Sequence, residues 1–227
     1  LEIIRKCDKV YLEQYTSRLN CTVKDLEKLY NKKIIEVKRK DLEDKSDQIL
    51  DEAKFNEIAV LIVGSPTAAT THFDLYLEAK KRKIKTYIIE NTSVINAIGI
   101  TGLFLYKFGR ITTIPFENKD IKSPYEDYLK NKESGLHTLF LLDIKENRLM
   151  TAREGLDYLI KLGLDNKQLV IGCGALGSLE PEIKVGKAKD LALKKFPQCF
   201  IIPGKLNFKE EEAIEFLEAV REDFPQI

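Results

Sequence analysis

An α/β fold is predicted by three observations. Short β-branched runs alternate with amphipathic stretches along the whole chain, small-residue loops sit where the runs end, and the runs are spaced as crossover connections require. The 227 residues are 44% hydrophobic and 32% charged, enough for a core and a solvated surface. Collagen-like, low-complexity and wholly disordered chains are excluded. The length accommodates one large domain or two of about 110 residues each.

Mostly parallel strands are expected at Lys9 to Glu13, Ile34 to Val37, Ile58 to Val63, Lys85 to Ile89, Ile111 to Ile114, His137 to Leu142, Gln168 to Cys173 and Gln198 to Ile202. Helices are expected between them, at Val23 to Tyr30, Leu42 to Lys54, Thr70 to Lys81, Ser93 to Ile98, Pro124 to Lys132, Thr151 to Leu162, Lys187 to Lys195 and Lys209 to Glu222. In the helix after Thr151, Leu156, Leu159 and Ile160 fall on one face, and Thr151 with Glu154 forms a capping box. The polar stretch PFENKDIKSP, bracketed by Pro115 and Pro124, breaks the rhythm and reads as a linker. It divides an N-terminal α/β domain, 1–114, from a C-terminal one, 125–227.

Lys and Arg number 37 against 36 Asp and Glu, a net charge of +1. Bulk electrostatic binding of nucleic acid needs a large basic excess and is excluded. The longest apolar runs, such as Ile58 to Val63 and Leu139 to Leu142, fall far short of the roughly 20 residues that cross a bilayer, so no membrane span is expected. Cys7, Cys21, Cys173 and Cys199 are scattered, with no CxxC pair and no histidine beside them in sequence. Neither a zinc site nor a disulfide framework is expected, and a reducing cytoplasm is. The chain starts at Leu1 on a helix-like segment, unlike a signal peptide, so natural residues are expected before it.

Four loops follow strands, where open α/β sheets bind their ligands. The first is GSPTAATTH, Gly64 to His72, whose small residues permit close backbone approach and whose Thr70 can cap a helix. It reads equally as a tight turn. The second is Asn91 to Val94, leading into a helix with Gly99 and Gly102, where close packing is the commoner reason for glycine. The third is Gly172 to Ser178, which lacks the spacing and acidic partner of a dinucleotide fold and is followed by strand-like Ile183 to Val185. The fourth is Ile202 to Leu206. No HExxH, Walker loop or GxSxG occurs, and no nucleophile with a matching base can be assembled. His137 opens an apolar strand and reads as a structural histidine. Asp143, ending LFLLD, can orient a cation or cap a turn. The basic run Lys80 to Lys85 reads as a solvated helix end rather than a docking patch.

At these loops the chain resembles the diphthine synthases, methyltransferases of diphthamide biosynthesis of the tetrapyrrole methylase type. The matching segments are CDKVYLEQYTS (Cys7 to Ser17), VGSPTAATTH (Val63 to His72), NAIGITGLFLYKFG (Asn96 to Gly109), GLHTLFLLDIK (Gly135 to Lys145), MTAREGL (Met150 to Leu156), GALGSLEP (Gly174 to Pro181) and IIPGKLNF (Ile201 to Phe208). They run in order through nearly the whole chain.

The resemblance implies two α/β domains with an S-adenosyl-L-methionine cleft between them, a cytoplasmic homodimer, and translation elongation factor 2 as the protein substrate. It places donor contacts on Ser65, Ala68, Ser93, Val94, Leu142, Leu176 and Gln198, largely through backbone groups. No metal and no catalytic side chain is expected, because methyl transfer from a sulfonium to an amine needs chiefly positioning and exclusion of water. His72 is accordingly expected to carry no essential proton transfer. An archaeal-type enzyme would stop at the trimethylated amine, and a eukaryotic-type one would also methylate the carboxylate.

Two departures bear on the site. Ser65 stands where the family motif has the aspartate of Gly-Asp-Pro, which removes a charge-assisted contact and implies weaker donor affinity. The family also has about 20 further residues before the position of Leu1, with a strand, a glycine-rich loop and one more donor contact. Two other functions therefore remain open at this point: a methylase of a tetrapyrrole or other small molecule, and a donor-binding protein with impaired catalysis.

Overall fold

Parallel pairing needs crossovers, and the first third of the chain supplies them. In order it forms α1 (Glu2–Lys6), β1 (Lys9–Glu13), α2 (Val23–Tyr30), β2 (Ile34–Val37), α3 (Arg39–Glu43), α4 (Ser46–Glu52), β3 (Ile58–Ile62) and α5 (Phe73–Lys81). The computed structural model describes residues 1–145 and 148–223, with side chains through 219. Its contacts divide the chain into two units, Leu1–Ser93 and Val94–Ile227.

In the first unit β1 lies between β2 and β3, parallel to both, with Val10 beside Ile34 and Ala59. Tyr11, Leu42 and Ile49 form its core. The single helix expected over Leu42 to Lys54 is two, because Asp44 and Lys45 both donate backbone N–H groups to the Lys40 carbonyl and close α3. α5 starts at Phe73 rather than at Thr70, whose hydroxyl is committed to the His72 ring. The strand expected at Lys85 to Ile89 does not form. Half-buried and exposed residues alternate there as in a pleat, but no neighbouring strand among the described residues supplies a ladder. At the basic run, Arg82 pairs with Asp47, Asp51 and Glu78, as a solvated helix end does.

The second unit begins with α6 (Val94–Ala97) and two 3₁₀ turns, Ile98–Thr101 and Leu105–Lys107. It continues through β4 (Thr112–Ile114), α7 (Ser123–Glu133), β5 (Thr138–Leu142), β6 (Ile144–Lys145), β7 (Arg148–Leu149), α8 (Ala152–Lys161), β8 (Leu169–Gly174), β9 (Glu182–Lys187), β10 (Gln198–Ile202) and α9 (Phe208–Asp223). Its main sheet runs β4-β5-β10-β8-β9, and only β4 with β5 is parallel. The expectation of mostly parallel strands therefore holds in the first unit and not in the second, where β10 returns antiparallel to both neighbours.

β4 also shifts the division of the chain. The sequence places the break at 115–124, but β4 and the segment from Val94 onward belong to the second unit, and the units divide between Ser93 and Val94. The strand period of two sends adjacent residues to opposite faces. Phe140 and Phe200 pack under α8 with Leu156 and Leu159, while Leu139 and Ile201 pack with Ile98 and Ile214 on the other face. The capping box at Thr151 and Glu154 forms as expected, with Glu154 N–H donating to Thr151 Oγ1 at 3.1 Å.

No helix forms over Lys187 to Lys195. Neighbouring side chains take the backbone groups that a helix would have paired. Glu182 accepts from Lys194 N–H and Lys195 N–H, both at 2.7 Å, Arg153 donates to the Ala188 carbonyl at 2.7 Å, and Gln198 donates to the Leu193 carbonyl at 3.2 Å.

A carboxylate holds the second unit together. Glu210, in the first turn of α9, has a side chain with no solvent exposure. Oε1 accepts from Phe104 N–H at 2.9 Å and His137 Nε2 at 2.9 Å, and Oε2 accepts from Asn207 N–H at 3.0 Å and from Lys107 Nζ. Asn207 Oδ1 in turn accepts from Glu210 N–H at 3.1 Å, completing a capping box. His137 Nδ1 accepts from Gly204 N–H at 2.9 Å, which assigns the proton to Nε2 and makes the ring a neutral structural link. Burial by itself raises the Glu210 pKa, but the hydrogen bonds from Lys107, Phe104, Asn207 and His137 outweigh it and bring it from the ordinary 4.5 to about 2.

Because the folded-state pKa is depressed, the carboxylate contributes its full stability above about pH 4.5 and loses it progressively as pH falls toward about 2. Removing one partner of a buried, hydrogen-bonded charge cluster costs about 3–5 kcal/mol. Glu210→Gln should lower the unfolding free energy by that amount at neutral pH, seen as a lower denaturant midpoint at unchanged slope, and flatten the dependence of the midpoint on pH between 4.5 and 2. Equal midpoints for variant and wild type would remove Glu210 from this role.

Candidate functional site

The first loop leaves β3 through Gly64 and turns twice in the left-handed region, at Gly64 (φ +88°) and Ala69 (φ +56°). Between them Ser65 is buried, and its hydroxyl lies 3.4 Å from Glu90 Oε2 and accepts from Thr67 N–H at 3.4 Å. Ala68 is half-buried on the same loop. Ser93, the last residue of the first unit, is buried. Glu90 is a residue that sequence reasoning missed. It sits at the end of the segment misread as a strand, and nothing in its spacing marks it as a neighbour of Ser65.

The loop is tied back to β1 by a polar cluster. His72, 7% exposed, meets the Thr70 hydroxyl through Nδ1 and Tyr15 Oη at 3.1 Å through Nε2, with Glu13 Oε2 3.6 Å beyond. Glu13 ends β1 with a side chain of no solvent exposure, and accepts from Tyr15 N–H, Thr16 N–H and Thr16 Oγ1. Burial pushes the His72 pKa down, more than Glu13 and Glu43 pull it up, so the ring is neutral. Burial likewise drives the Tyr15 phenol upward.

In the second unit the sheet gathers three of the expected positions at one end. Cys199 pairs with Leu141 and Gln198 with Gly174, so the end of β5 with Leu142, the start of β10 with Gln198, and the loop after β8 with Leu176 lie side by side. Leu142 packs close to Gly155 of α8, where a Cβ would come within 2.8 Å of its Cδ2, and Leu176 packs beside Ile171 and Cys173. Val94 packs in that same cluster. Gln198 is buried and its amide is spent structurally: Oε1 accepts from Ala152 N–H, the first residue of α8, at 2.8 Å. Only its backbone is left to meet a ligand. Asp143 proves to be a cap, accepting from Ile144 N–H at 2.8 Å and Phe116 N–H at 3.0 Å. Gly102 (φ +79°) is required by packing, since a Cβ there would fall 2.4 Å from the Ala213 Cβ of α9.

Among the described residues no group of three or more His, Cys, Asp or Glu is placed to hold a metal, and no helix is long and apolar enough to cross a membrane. The two histidines serve hydrogen-bond clusters. The candidate positions of the first unit offer one hydroxyl and one carboxylate, and those of the second offer apolar edges and backbone groups.

A diphthine synthase from Methanocaldococcus jannaschii is 43% identical to this chain over 96% of the chain and 91% of its own length. The chain belongs to the diphthine synthase family. A diphthine synthase from Methanococcus maripaludis is 41% identical over the same shares, and a crystal structure of diphthine synthase matches with a TM-score of 0.90 at 30% identity, covering 96% of this chain and 88% of the other. No family model matches the chain. Membership makes it a methyltransferase of diphthamide biosynthesis with the α/β architecture of that family.

Proposed function

We propose that the protein transfers methyl groups from S-adenosyl-L-methionine to the amino group of the 3-amino-3-carboxypropyl chain carried by a histidine of translation elongation factor 2. The near-full-length identity of 43% to a diphthine synthase carries this reading. The side chains fit the donor. In the first unit Ser65 offers a hydroxyl and Glu90 places a carboxylate beside it for a cationic or hydroxylated group; in the second, Leu142 on one face of the sheet and Val94 and Leu176 on the other supply apolar side chains. Ala68, Ser93 and Gln198 complete the contacts, chiefly through the backbone.

The donor supplies an electrophilic methyl carbon. The amine lone pair forms the N–C bond as the C–S bond breaks, the thioether leaves as S-adenosyl-L-homocysteine, and the amine proton passes to water. The protein's part is to orient the two reactants in line and keep the site dry, which can supply most of the acceleration without an acid, base or metal.

Calorimetry with S-adenosyl-L-methionine, followed by the intact mass of elongation factor 2 bearing the precursor side chain, tests the assignment. Binding and a mass gain in methyl increments are expected. Binding without the gain would point to a small-molecule methylase, and absence of binding to a module that has lost the donor.

The Ser65 and Glu90 pair makes a sharper expectation. A second carboxylate beside Glu90 repels it, so Ser65→Asp should tighten donor binding by about tenfold in a Glu90→Gln background and by clearly less in the wild type. Equal gains in both backgrounds would separate Glu90 from the donor.

A cytoplasmic homodimer completes the reading. The 3₁₀ turns and α9, joined at Gly102 and Ala213, carry the exposed Ile100, Tyr106, Phe208 and Phe216, an apolar surface suited to a second copy. The near-zero net charge favours a folded protein partner over nucleic acid. Sedimentation should give twice 26.1 kDa, and a monomer mass at micromolar concentration would overturn the dimer.

A further inference from the structure

We infer that His72 is a positioning residue, clamping loop 64–71 to the end of β1 through Thr70, Tyr15 and Glu13, and that this clamp sets donor affinity rather than the rate of methyl transfer. The inference rests on the donor reading above. Its observations lie wholly within the first unit.

Loop 64–71 has little of its own to hold its shape. Proline and the small residues Gly, Ser and Ala make up five of its eight positions, and two of its residues occupy the left-handed region, a strained choice for Ala69. α5 behind it has no side-chain cap, since His72 occupies the N-cap position but turns its ring elsewhere. The ring reaches forward along the loop to Thr70 and across to Tyr15, one residue pair beyond β1.

Tyr15 is fixed in its turn. Its backbone N–H is held by Glu13, Arg39 lies 5.0 Å over its ring, and the His72 ring is tilted against it at 5.7 Å. Glu13 is buried and collects the N–H groups of Tyr15 and Thr16 with the Thr16 hydroxyl, so the turn after β1 is tied to the end of the strand. The imidazole is the link between this anchored turn and the loop that presents Ser65 and Ala68. The segments YLEQYTS and GSPTAATTH, far apart in sequence, meet at these few atoms. The groups facing the ring (Tyr15, Thr70 and Glu13, with Glu43 and Arg39 beyond) leave it partnered on both nitrogens, so it has no free position for a reacting amine.

The test compares wild type with His72→Ala, His72→Gln and Tyr15→Phe. Calorimetry with S-adenosyl-L-methionine, steady-state turnover, and amide hydrogen exchange of peptides covering 64–72 are the readouts. His72→Ala should weaken donor binding and raise its KM by about ten- to a hundredfold, leave kcat within about threefold, and speed exchange in the loop. The glutamine variant, which keeps a polar atom within reach of Tyr15, should recover most of the affinity. Tyr15→Phe removes one oxygen and should fall between, and it carries the test if His72→Ala does not fold. A loss of kcat beyond about 10³-fold at unchanged KM would make His72 an acid or base and overturn the inference. Unchanged affinity and exchange in both His72→Ala and Tyr15→Phe would overturn it too. If the wild type itself fails to bind the donor, the functional reading falls first. Faster exchange in the variants would then still locate the clamp.

Discussion

A carboxylate taken fully out of water must be given hydrogen-bond donors from whatever surrounds it, and the second unit is arranged around that demand. Glu210 draws on the 3₁₀ turns through Phe104 and Lys107, on the start of β5 through His137, and on the approach to α9 through Asn207. His137 extends the chain of bonds to Gly204. Three of the segments by which the chain resembles its family, NAIGITGLFLYKFG, GLHTLFLLDIK and IIPGKLNF, thereby converge on one buried side chain. Much of what makes the sequence recognisable serves to place the sheet, and the sheet places Leu142, Leu176 and Gln198.

The legible parts of the fold were those set by local chemistry. Strands such as Lys9 to Glu13 and Gln198 to Ile202 have the residue types of a pleat, and α8 carries its capping box in the sequence. Lys187 to Lys195 and Lys85 to Ile89 were misread for the same reason. In the one, side chains of Glu182, Arg153 and Gln198 claim the backbone from a distance, and in the other the missing ingredient is a partner strand. The direction of β10, antiparallel to β5 and β8, and the allegiance of β4 are likewise decided by pairing that no window of sequence contains.

The candidate site is written in the sequence as loops and not as chemistry. Strand ends and small residues pointed to Gly64 to His72 and Gly172 to Ser178, while the occupations of the polar groups emerged only in space. His72 and His137, the two residues most easily mistaken for proton carriers, are each held on both ring nitrogens. Gln198 spends its amide on the first turn of α8, and Asp143 spends its carboxylate on two backbone donors. A reaction whose electrophile is activated before it arrives asks little acid–base work of the protein, and His72, His137, Gln198 and Asp143 are all held as fasteners.

The strand that closes the sheet is also the last to be synthesised. β10 lies between β5 and β8, and Glu210 reaches back 106 residues to Phe104 and 103 to Lys107. Such long sequence separations slow folding, because the chain loses entropy in closing the loop before the contacts form. On the ribosome the first unit, whose three strands are complete by Ile62, can fold while the second is still being made. The second must wait, with β5 and β8 holding open edges until β10 emerges, and with Glu210 supplied only when α9 follows. A chain stopped before β10 would expose those edges permanently, giving quality-control proteases a ready means of telling finished molecules from unfinished ones.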